Sequence, residues 1–285
     1  MAYTCFATYY DGLTGNVSYA ARAGYFSALI KKYAHDANIL LDLACGTGSL
    51  SAEFLALGYE VIGVDVSSEM LAVATQKAPA ALFLCQDMTK LDLYGTVDVT
   101  VCALDSLNHL ITLDALQKAV DKVTFFTAPD GIFIFDVNTV YKHKSVLADN
   151  TFFYENENCC CVWQNEYSNK NHIVNIELDF FVKEGRLYRR ESESFAERAF
   201  TEEELSSVLA KAGLEVLALY EGDTFNVPND KTERAVYVTR KLPLYRGGIT
   251  ANNTDTAISN EAEEIKNEHT RSIYIRRRGN SMHGA

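Results

Sequence analysis

No stretch of the sequence is long and apolar enough to cross a membrane. The 285-residue chain has no apolar run that approaches the roughly eighteen residues a membrane span needs. Its first residues, MAYTCFATYY, contain neither a basic segment nor a small-residue cleavage site, so they lack the pattern of a secretory leader. The sequence therefore predicts a cytoplasmic protein that does not have a membrane as its partner.

Basic residues are scarce relative to acidic ones. The chain has 26 Lys and Arg residues against 38 Asp and Glu residues, which gives a net charge of -12 at pH 7. Proteins that bind nucleic acid draw most of their affinity from Lys and Arg on phosphates. The composition therefore argues against a nucleic acid partner.

The cysteines follow no recognisable framework. There are seven of them, an odd number, and three are adjacent at positions 159–161. This pattern is neither a set of disulfide pairs nor the Cys-x-x-Cys spacing of a metal site. We therefore expect reduced, mostly buried thiols and predict no metal.

Short apolar runs alternate with helical patterns from residue 39 onward, which is the rhythm of βα units. Near-continuous apolar runs are typical of parallel strands that are covered on both faces. Ser67 and Thr112 are placed to cap helices, and residues 128–131 (APDG) indicate a turn before the fifth strand. The pattern predicts an α/β fold with an open, doubly wound, Rossmann-like sheet across residues 39–150. The predicted strands are Ile39 to Leu43, Glu60 to Val64, Ala81 to Cys85, Val97 to Ala103 and Gly131 to Val137.

The pattern changes after residue 150. Apolar side chains recur at every second position from Val174 to Val182, and turn residues flank this segment. We therefore predict an antiparallel β-meander inserted at residues 151–200. A capping box at residues 201–204 then opens a helix that ends at Gly213, and two strands, Leu214 to Tyr220 and Arg234 to Arg240, complete the core by residue 245. Residues 246–285 are polar and are expected to form a flexible tail.

A glycine turn follows the first predicted strand. Gly46 and Gly48 precede a helix, whose first amide groups are free, and glycines let a ligand approach the backbone closely. The third glycine of the dinucleotide fingerprint would stand at position 51, where this chain has Ser51. Asp42, just before the turn, favours a ligand with an ammonium or sulfonium group over a pyrophosphate.

Acidic residues also end the next two strands. Asp65 ends the second strand, and a carboxylate at this position can accept both ribose hydroxyls. Asp87 follows the third strand, where an adenine amino group would lie. Met70 could pack on the adenine, although a Met at helical spacing is more often a core residue.

Three motifs at matching spacing, LDLACGTG at 41–48, GVDVSSEML at 63–71 and QDM at 86–88, resemble those of the class I S-adenosylmethionine-dependent methyltransferases. The resemblance covers about residues 3–240. It implies a seven-stranded sheet in which only the last strand is antiparallel, and S-adenosylmethionine as cofactor. The glycine loop would cradle the methionine portion, with Asp42 nearby, while Asp65 would bind ribose and Asp87 would bind adenine. The implied cofactor contacts in this part of the chain are Asp42, Ala44, Gly46, Gly48, Asp65, Val66, Met70, Asp87 and Met88.

The acceptor is expected near the end of the fourth strand, in residues 103–110 (ALDSLNHL). Leu104 and Asp105 should contact the cofactor, while Asn108 and His109 could face the acceptor. His109 or Asp105 could take a proton, and both are candidate catalytic residues. The alternative for His109 is a helix-terminal histidine satisfied by the backbone.

Two further segments resemble walls of the family's site. Residues 1–38 are predicted to form a helical lid with an FATYYD opening, in which Tyr10 and Tyr19 contact the sulfonium and Arg22 meets the methionine carboxylate. The meander would form the other wall, with Trp163 contacting substrate. A single Trp in such a lobe is, however, often a core residue.

The sequence thus favours methyl transfer to a small molecule, with nitrogen preferred because the acidic surface and Asp105 suit a cationic acceptor. Two alternatives stay open. One is an NAD-type oxidoreductase, which Ser51 and Asp87 disfavour, and the other is a regulator that binds S-adenosylmethionine without transferring from it. A monomer or a homodimer is expected.

Overall fold

The computed structural model describes residues 18–34 and 36–243. Tyr10 lies outside these residues, together with residues 1–17 of the predicted lid and the whole predicted tail. Within the described ranges, no helix combines the length and the apolar character that crossing a membrane would require.

The strands follow one another in three groups, which are the first core strands, an inserted group and two closing strands. In chain order they are β1 Ile39–Leu43, β2 Glu60–Asp65, β3 Leu82–Cys85, β4 Val97–Cys102, β5 Thr127–Asn138, β6 Thr151–Glu155, β7 Cys159–Ser168, β8 Ile173–Glu184, β9 Leu187–Arg198, β10 Leu214–Glu221 and β11 Arg234–Lys241. The helices of at least two turns are α1 Tyr19–Tyr33, α2 Ser49–Ala56, α3 Ser68–Lys77, α4 Leu113–Phe126 and α5 Glu202–Lys211.

Seven strands form one sheet in the order β10-β11-β5-β4-β1-β2-β3. β11 is antiparallel to both of its neighbours, whereas the pairs among β1 to β5 are all parallel. This confirms the predicted Rossmann-like α/β sheet with its last strand antiparallel. The strand order reverses between β1 and β4, and a crevice for a ligand opens at the carboxyl ends of strands at such a reversal.

Apolar side chains on the two faces of the sheet build separate cores. Leu41 and Leu43 of β1 belong to the cluster that includes α4 and α5, while Leu40 belongs to the cluster that includes α1 and α2. Side chains along a strand alternate between faces, so a strand buried on both sides must be apolar throughout. This explains the near-continuous apolar runs.

The inserted residues form a second, four-stranded antiparallel sheet in the order β6-β7-β8-β9. The alternating apolar residues of β8, from Val174 to Val182, are all buried on one face. The capping box also forms, because Thr201 and Glu204 exchange side-chain and backbone hydrogen bonds at the start of α5. The predicted meander is therefore present.

The predicted turn at residues 128–131 lies within β5 rather than before it. Val97 pairs with Thr127 and Val99 pairs with Ile132, so the intervening residues bulge out of the β4–β5 ladder. Asp130 has a positive φ of 60°. A Cβ atom on Gly131 would lie 2.8 Å from the carbonyl oxygen of Asp98, which explains why a residue without a side chain stands there.

Candidate active site

The glycine turn leaves β1 through residues in left-handed conformations. φ is +60° at Ala44, +53° at Gly46 and +73° at Gly48. A Cβ atom on Gly48 would lie 2.8 Å from the Cβ atom of Ala74, so glycine here lets α2 pack closely on α3. A Cβ atom on Gly46 would meet no atom within 4 Å. Gly46 therefore borders open space that a ligand can occupy.

Asp65 connects this turn to the end of β2. Its Oδ2 accepts a hydrogen bond from the Gly46 amide at 2.9 Å, and its Oδ1 accepts one from the Ser67 amide at 2.9 Å. Burial raises the pKa of Asp65, and the two amides oppose that effect. Each carboxylate oxygen has two lone pairs, so the group keeps capacity for ribose hydroxyls.

Asp87 lies at the same edge of the sheet, because Asp65 pairs with Cys85 of β3. Asp87 Oδ1 accepts hydrogen bonds from the amide and hydroxyl groups of Thr89, both at 2.8 Å. Its Oδ2 has no hydrogen bond to any residue of the described ranges. The neighbouring Val66 is 66% exposed, and Met88 is partly buried. Two carboxylates beside an exposed apolar side chain suit a nucleoside, which has both hydroxyl and aromatic surfaces to cover.

Asp42 and Met70 lie below this surface. Asp42 is only 2% exposed and accepts a hydrogen bond from the Ser51 hydroxyl at 2.5 Å. Burial raises the pKa of Asp42 to about 7. Met70 is also buried. We therefore correct the expectation of direct cofactor contacts: Asp42 supports the turn from beneath, and Met70 packs in the interior.

The end of β4 is held in a strained shape by Asp136. Leu104 and Asp105 have φ values of +58° and +55°. Their amides donate to Asp136 Oδ2 at 2.9 Å and Oδ1 at 2.7 Å, and the Asp136 carboxylate is completely buried at the end of β5. Asp136 was not among the predicted site residues. The signal was present, because Asp136 and Asn138 are polar residues at the end of an apolar strand.

Asp105 is part of an ion-pair network. Arg234 Nη2 lies 2.6 Å from Asp105 Oδ1, and Asn138 Nδ2 donates to Asp105 Oδ2 at 2.7 Å. Burial raises the pKa of Asp105, but the attraction of Arg234, Lys142 and His109 outweighs burial and lowers the pKa to about 2. A carboxylate that is ionised and paired in this way is a poor base at neutral pH. Asp105 is better suited to positioning than to proton transfer.

Arg22 is also committed to carboxylates of the protein. Its Nη1 lies 3.2 Å from Asp136 Oδ2, and its Nη2 lies 2.8 Å from Asp223 Oδ2. Arg22 therefore clamps α1 to β5 and to the β10–β11 loop, which corrects the expected pairing with a methionine carboxylate. Tyr19, at the start of α1, is partly buried against the same apolar cluster as Leu104.

Asn108 ties three segments of backbone together. It is completely buried, its Nδ2 donates to the carbonyl groups of Asn138 and Arg198, and its Oδ1 accepts from the Asn138 amide. It is thus structural and does not face an acceptor, contrary to expectation.

His109 occupies the junction between the core and the inserted sheet. Its side chain is 33% exposed, and its Nε2 lies 3.8 Å from Glu197 Oε1. Its ring centroid lies 5.3 Å from that of Phe195. Glu197 and Phe195 are both on β9, so the inserted sheet shapes the surroundings of this histidine.

Trp163 packs within the inserted sheet. Its ring contacts Phe152 and Tyr154, with centroids 5.9 and 6.2 Å apart, and its Nε1 donates to Asn165 Oδ1. The side chain is partly buried. A contact between Trp163 and substrate stays a prediction.

Comparisons with known proteins agree with the fold. A family profile described as "Methyltransferase domain" matches residues 40–131. The "Putative methyltransferase YqeM" of Bacillus subtilis is 32% identical over 245 residues, which covers 85% of this chain and 98% of that protein. An S-adenosylmethionine-dependent methyltransferase from Clostridium acetobutylicum is 31% identical, with a TM-score of 0.76 over 83% of this chain and 97% of that one.

The name of a more distant relative states the substrate on which that protein acts. The dTDP-3-amino-3,6-dideoxy-alpha-D-glucopyranose N,N-dimethyltransferase of Streptomyces fradiae is 30% identical over 117 residues, which covers 41% of this chain and 46% of that protein.

The site residues fit the cofactor of these proteins. Open space at Gly46, the carboxylates of Asp65 and Asp87 and the exposed Val66 suit an adenosyl group. The third-glycine position of a dinucleotide site is filled by Ser51, whose hydroxyl is bonded to Asp42. The oxidoreductase and regulator alternatives are set aside, because relatives that match nearly full length are named as methyltransferases. The chain belongs to the S-adenosylmethionine-dependent methyltransferases and is an enzyme that uses S-adenosylmethionine as its cofactor.

Proposed function

We propose that this enzyme methylates a nitrogen atom of a small-molecule acceptor, such as an amino sugar, that binds between the cofactor crevice and the inserted sheet. The observation that carries the proposal is the charge of that sheet. Val174 pairs with Glu197, Leu178 with Glu193 and Phe180 with Glu191. Directly paired residues lie on one face, and Val182 of the same row pairs with Arg189, which forms an ion pair with Glu191. Three carboxylates and one guanidinium group therefore border the buried apolar row of β8, and this face has a net negative charge.

An amine is the acceptor that suits this charge. When bound, S-adenosylmethionine supplies a methyl group on a positively charged sulfur. The attacking nitrogen becomes positively charged, and carboxylates such as Glu197 and Asp105 stabilise the cation. A hydroxyl acceptor develops negative charge as it loses its proton, and the same carboxylates oppose that charge.

His109 is the proposed proton acceptor. It is partly exposed at the junction, whereas Asp105 is ionised and held by Arg234. An imidazole suits this role because it exchanges a proton near neutral pH. The protein otherwise positions the two reactants and excludes water. The amino-sugar dimethyltransferase activity named for the Streptomyces fradiae relative supports nitrogen as the target.

A labelled-methyl assay tests the proposal. The purified chain is incubated with methyl-labelled S-adenosylmethionine and, separately, with dTDP-3-amino-3,6-dideoxyglucose, its 3-hydroxy counterpart, small primary amines, tRNA and a protein extract. We expect label on an amine and none on the hydroxy sugar. Label found only on a hydroxyl, on tRNA or on protein would refute the proposal.

A further inference from the structure

Glu197 reaches from the inserted sheet into the core. It is the next-to-last residue of β9 and is 5% exposed. Its Oε1 lies 3.8 Å from His109 Nε2, and its Oε2 lies 3.6 Å from His143 Nε2. One carboxylate therefore stands between two histidines that belong to different segments, at the end of β4 and in the helical turn after β5.

A hydrogen bond of His143 determines which of its ring nitrogens faces Glu197. His143 is completely buried, and its Nδ1 lies 3.1 Å from the carbonyl oxygen of His172. A carbonyl oxygen only accepts, so Nδ1 must carry a proton and donate. His143 therefore directs Nε2, and not Nδ1, toward Glu197.

The other groups around Glu197 also hold it in place. Asn138 Nδ2 donates to its Oε2 at 3.4 Å, and the ammonium group of Lys142 is close enough to be stabilised by its charge. The second oxygen, Oε1, is the one directed toward His109. Contacts between catalytic groups are often long before substrate binds and shorten in the reacting complex.

We propose that Glu197 is the positioning residue of His109, holding the Nε2 proton so that Nδ1 is the nitrogen that receives the proton of the acceptor. The inference rests on the proposed function, because it takes His109 as the proton acceptor. The carboxylate fixes the tautomer of the ring and stabilises the imidazolium that forms, as a buried acid does for a histidine in other enzymes.

Kinetics with an amine acceptor found in the labelled-methyl assay give the first test. Glu197→Gln keeps the shape of the side chain and removes its charge, so we expect kcat to fall at least about tenfold with KM changed less than about twofold. Glu197→Asp should retain more activity than Glu197→Gln because it keeps the carboxylate. Glu177→Gln, on the exposed face of the same sheet, is the matched control and should behave as the parent.

A double-mutant cycle separates positioning from a general structural effect. If Glu197 acts through His109, adding Glu197→Gln to His109→Asn should cause no further loss. The inference would be overturned if the loss of kcat in the double variant equalled the product of the two single losses. A Glu197→Gln variant as active as the parent would also overturn it.

A second measurement needs no acceptor and tests the role of Glu197 directly. If no amine is methylated, only the proposed function is refuted, and this measurement still decides the inference. Nitrogen-15 NMR of the imidazole rings reports which nitrogen of neutral His109 carries the proton. We expect the proton on Nε2 in the parent and a loss of that preference in Glu197→Gln. A parent protein with the proton on Nδ1 would overturn the inference, whatever the stability of the variants.

Discussion

Asp42 offers a sharp test of the electrostatics beneath the glycine turn. It is fully enclosed, its only hydrogen bond to a described side chain comes from the Ser51 hydroxyl, and burial raises its pKa to about 7 from an ordinary value of 3.8. Asp42→Asn replaces it with a group of the same size that is uncharged at every pH. The amide oxygen can still accept the hydrogen bond from Ser51.

The sign of the effect follows from proton linkage. Between pH 4 and pH 7 the unfolded chain releases the proton of Asp42 while the folded chain keeps it, so the free energy of unfolding falls as pH rises through this window. The two pKa values lie about three pH units apart, and each unit corresponds to about 1.36 kcal/mol, so the loss totals about 4 kcal/mol. The free energy of unfolding of Asp42→Asn, relative to that of the parent, should therefore rise by about 4 kcal/mol from pH 4 to pH 7. Above pH 7 it should rise no further.

Urea unfolding at half-unit pH steps measures this difference directly. Asp114→Asn is the matched control, because Asp114 is an exposed carboxylate on α4 that pairs only with Lys118 among the described residues. The free energy of unfolding of Asp114→Asn should stay within about 0.5 kcal/mol of that of the parent at every pH measured. A difference between Asp42→Asn and the parent that does not change with pH would refute a protonated Asp42 in the folded protein.

Three further outcomes follow from the site. Asp65→Asn should weaken the binding of S-adenosylhomocysteine about tenfold or more by calorimetry, because a hydrogen bond to a charged group contributes about 1.5 to 3 kcal/mol; unchanged affinity would remove Asp65 from the site. Gly48→Ala should lower the free energy of unfolding by about 1 to 3 kcal/mol more than Gly46→Ala, because both place Ala at a left-handed φ but only the Gly48 Cβ would collide with Ala74, whereas Gly46→Ala should also lower cofactor affinity; equal stability losses would contradict the distinct roles of the two glycines. Asp136→Ala should cost about 3 to 5 kcal/mol in urea unfolding, since it removes one of the two carboxylate partners of both Arg22 and Arg234 and leaves the amides of Leu104 and Asp105 without their acceptor; a loss below about 1 kcal/mol would show that the network is dispensable.

The sheet could be predicted because its strands obey local rules. β1 was predicted with its observed ends, and β2, β3 and β4 with ends within one residue, since each is an apolar run between turn or cap residues. The start of β5 was predicted four residues late. Pro129 and Gly131 indicate a turn locally, but pairing with β4 resumes on both sides of them and makes the segment a bulge.

The site was predictable only where a residue acts next to its own strand. Asp65 and Asp87 end their strands at one edge of the sheet, and parallel pairing brings such ends together. Asp136, Arg234 and Glu197 are brought to His109 and Asp105 by β5, β11 and β9, and no spacing in the sequence records that convergence. For the same reason, the partners that occupy Arg22 and Asn108 could not be anticipated.

Three of the seven described non-glycine residues with positive φ follow β1 and β4, at the edge of the crevice. A non-glycine residue with positive φ costs about 1 to 3 kcal/mol, and Ala44, Leu104 and Asp105 all have one. A carboxylate stabilises each strained turn, because Asp65 accepts from the Gly46 amide and the buried Asp136 accepts from the Leu104 and Asp105 amides. Hydrogen bonds to charged groups are strong enough to offset strain of this size. Protein contacts therefore stabilise the shape of the two turns, which lowers the ordering entropy that these turns lose when the cofactor binds.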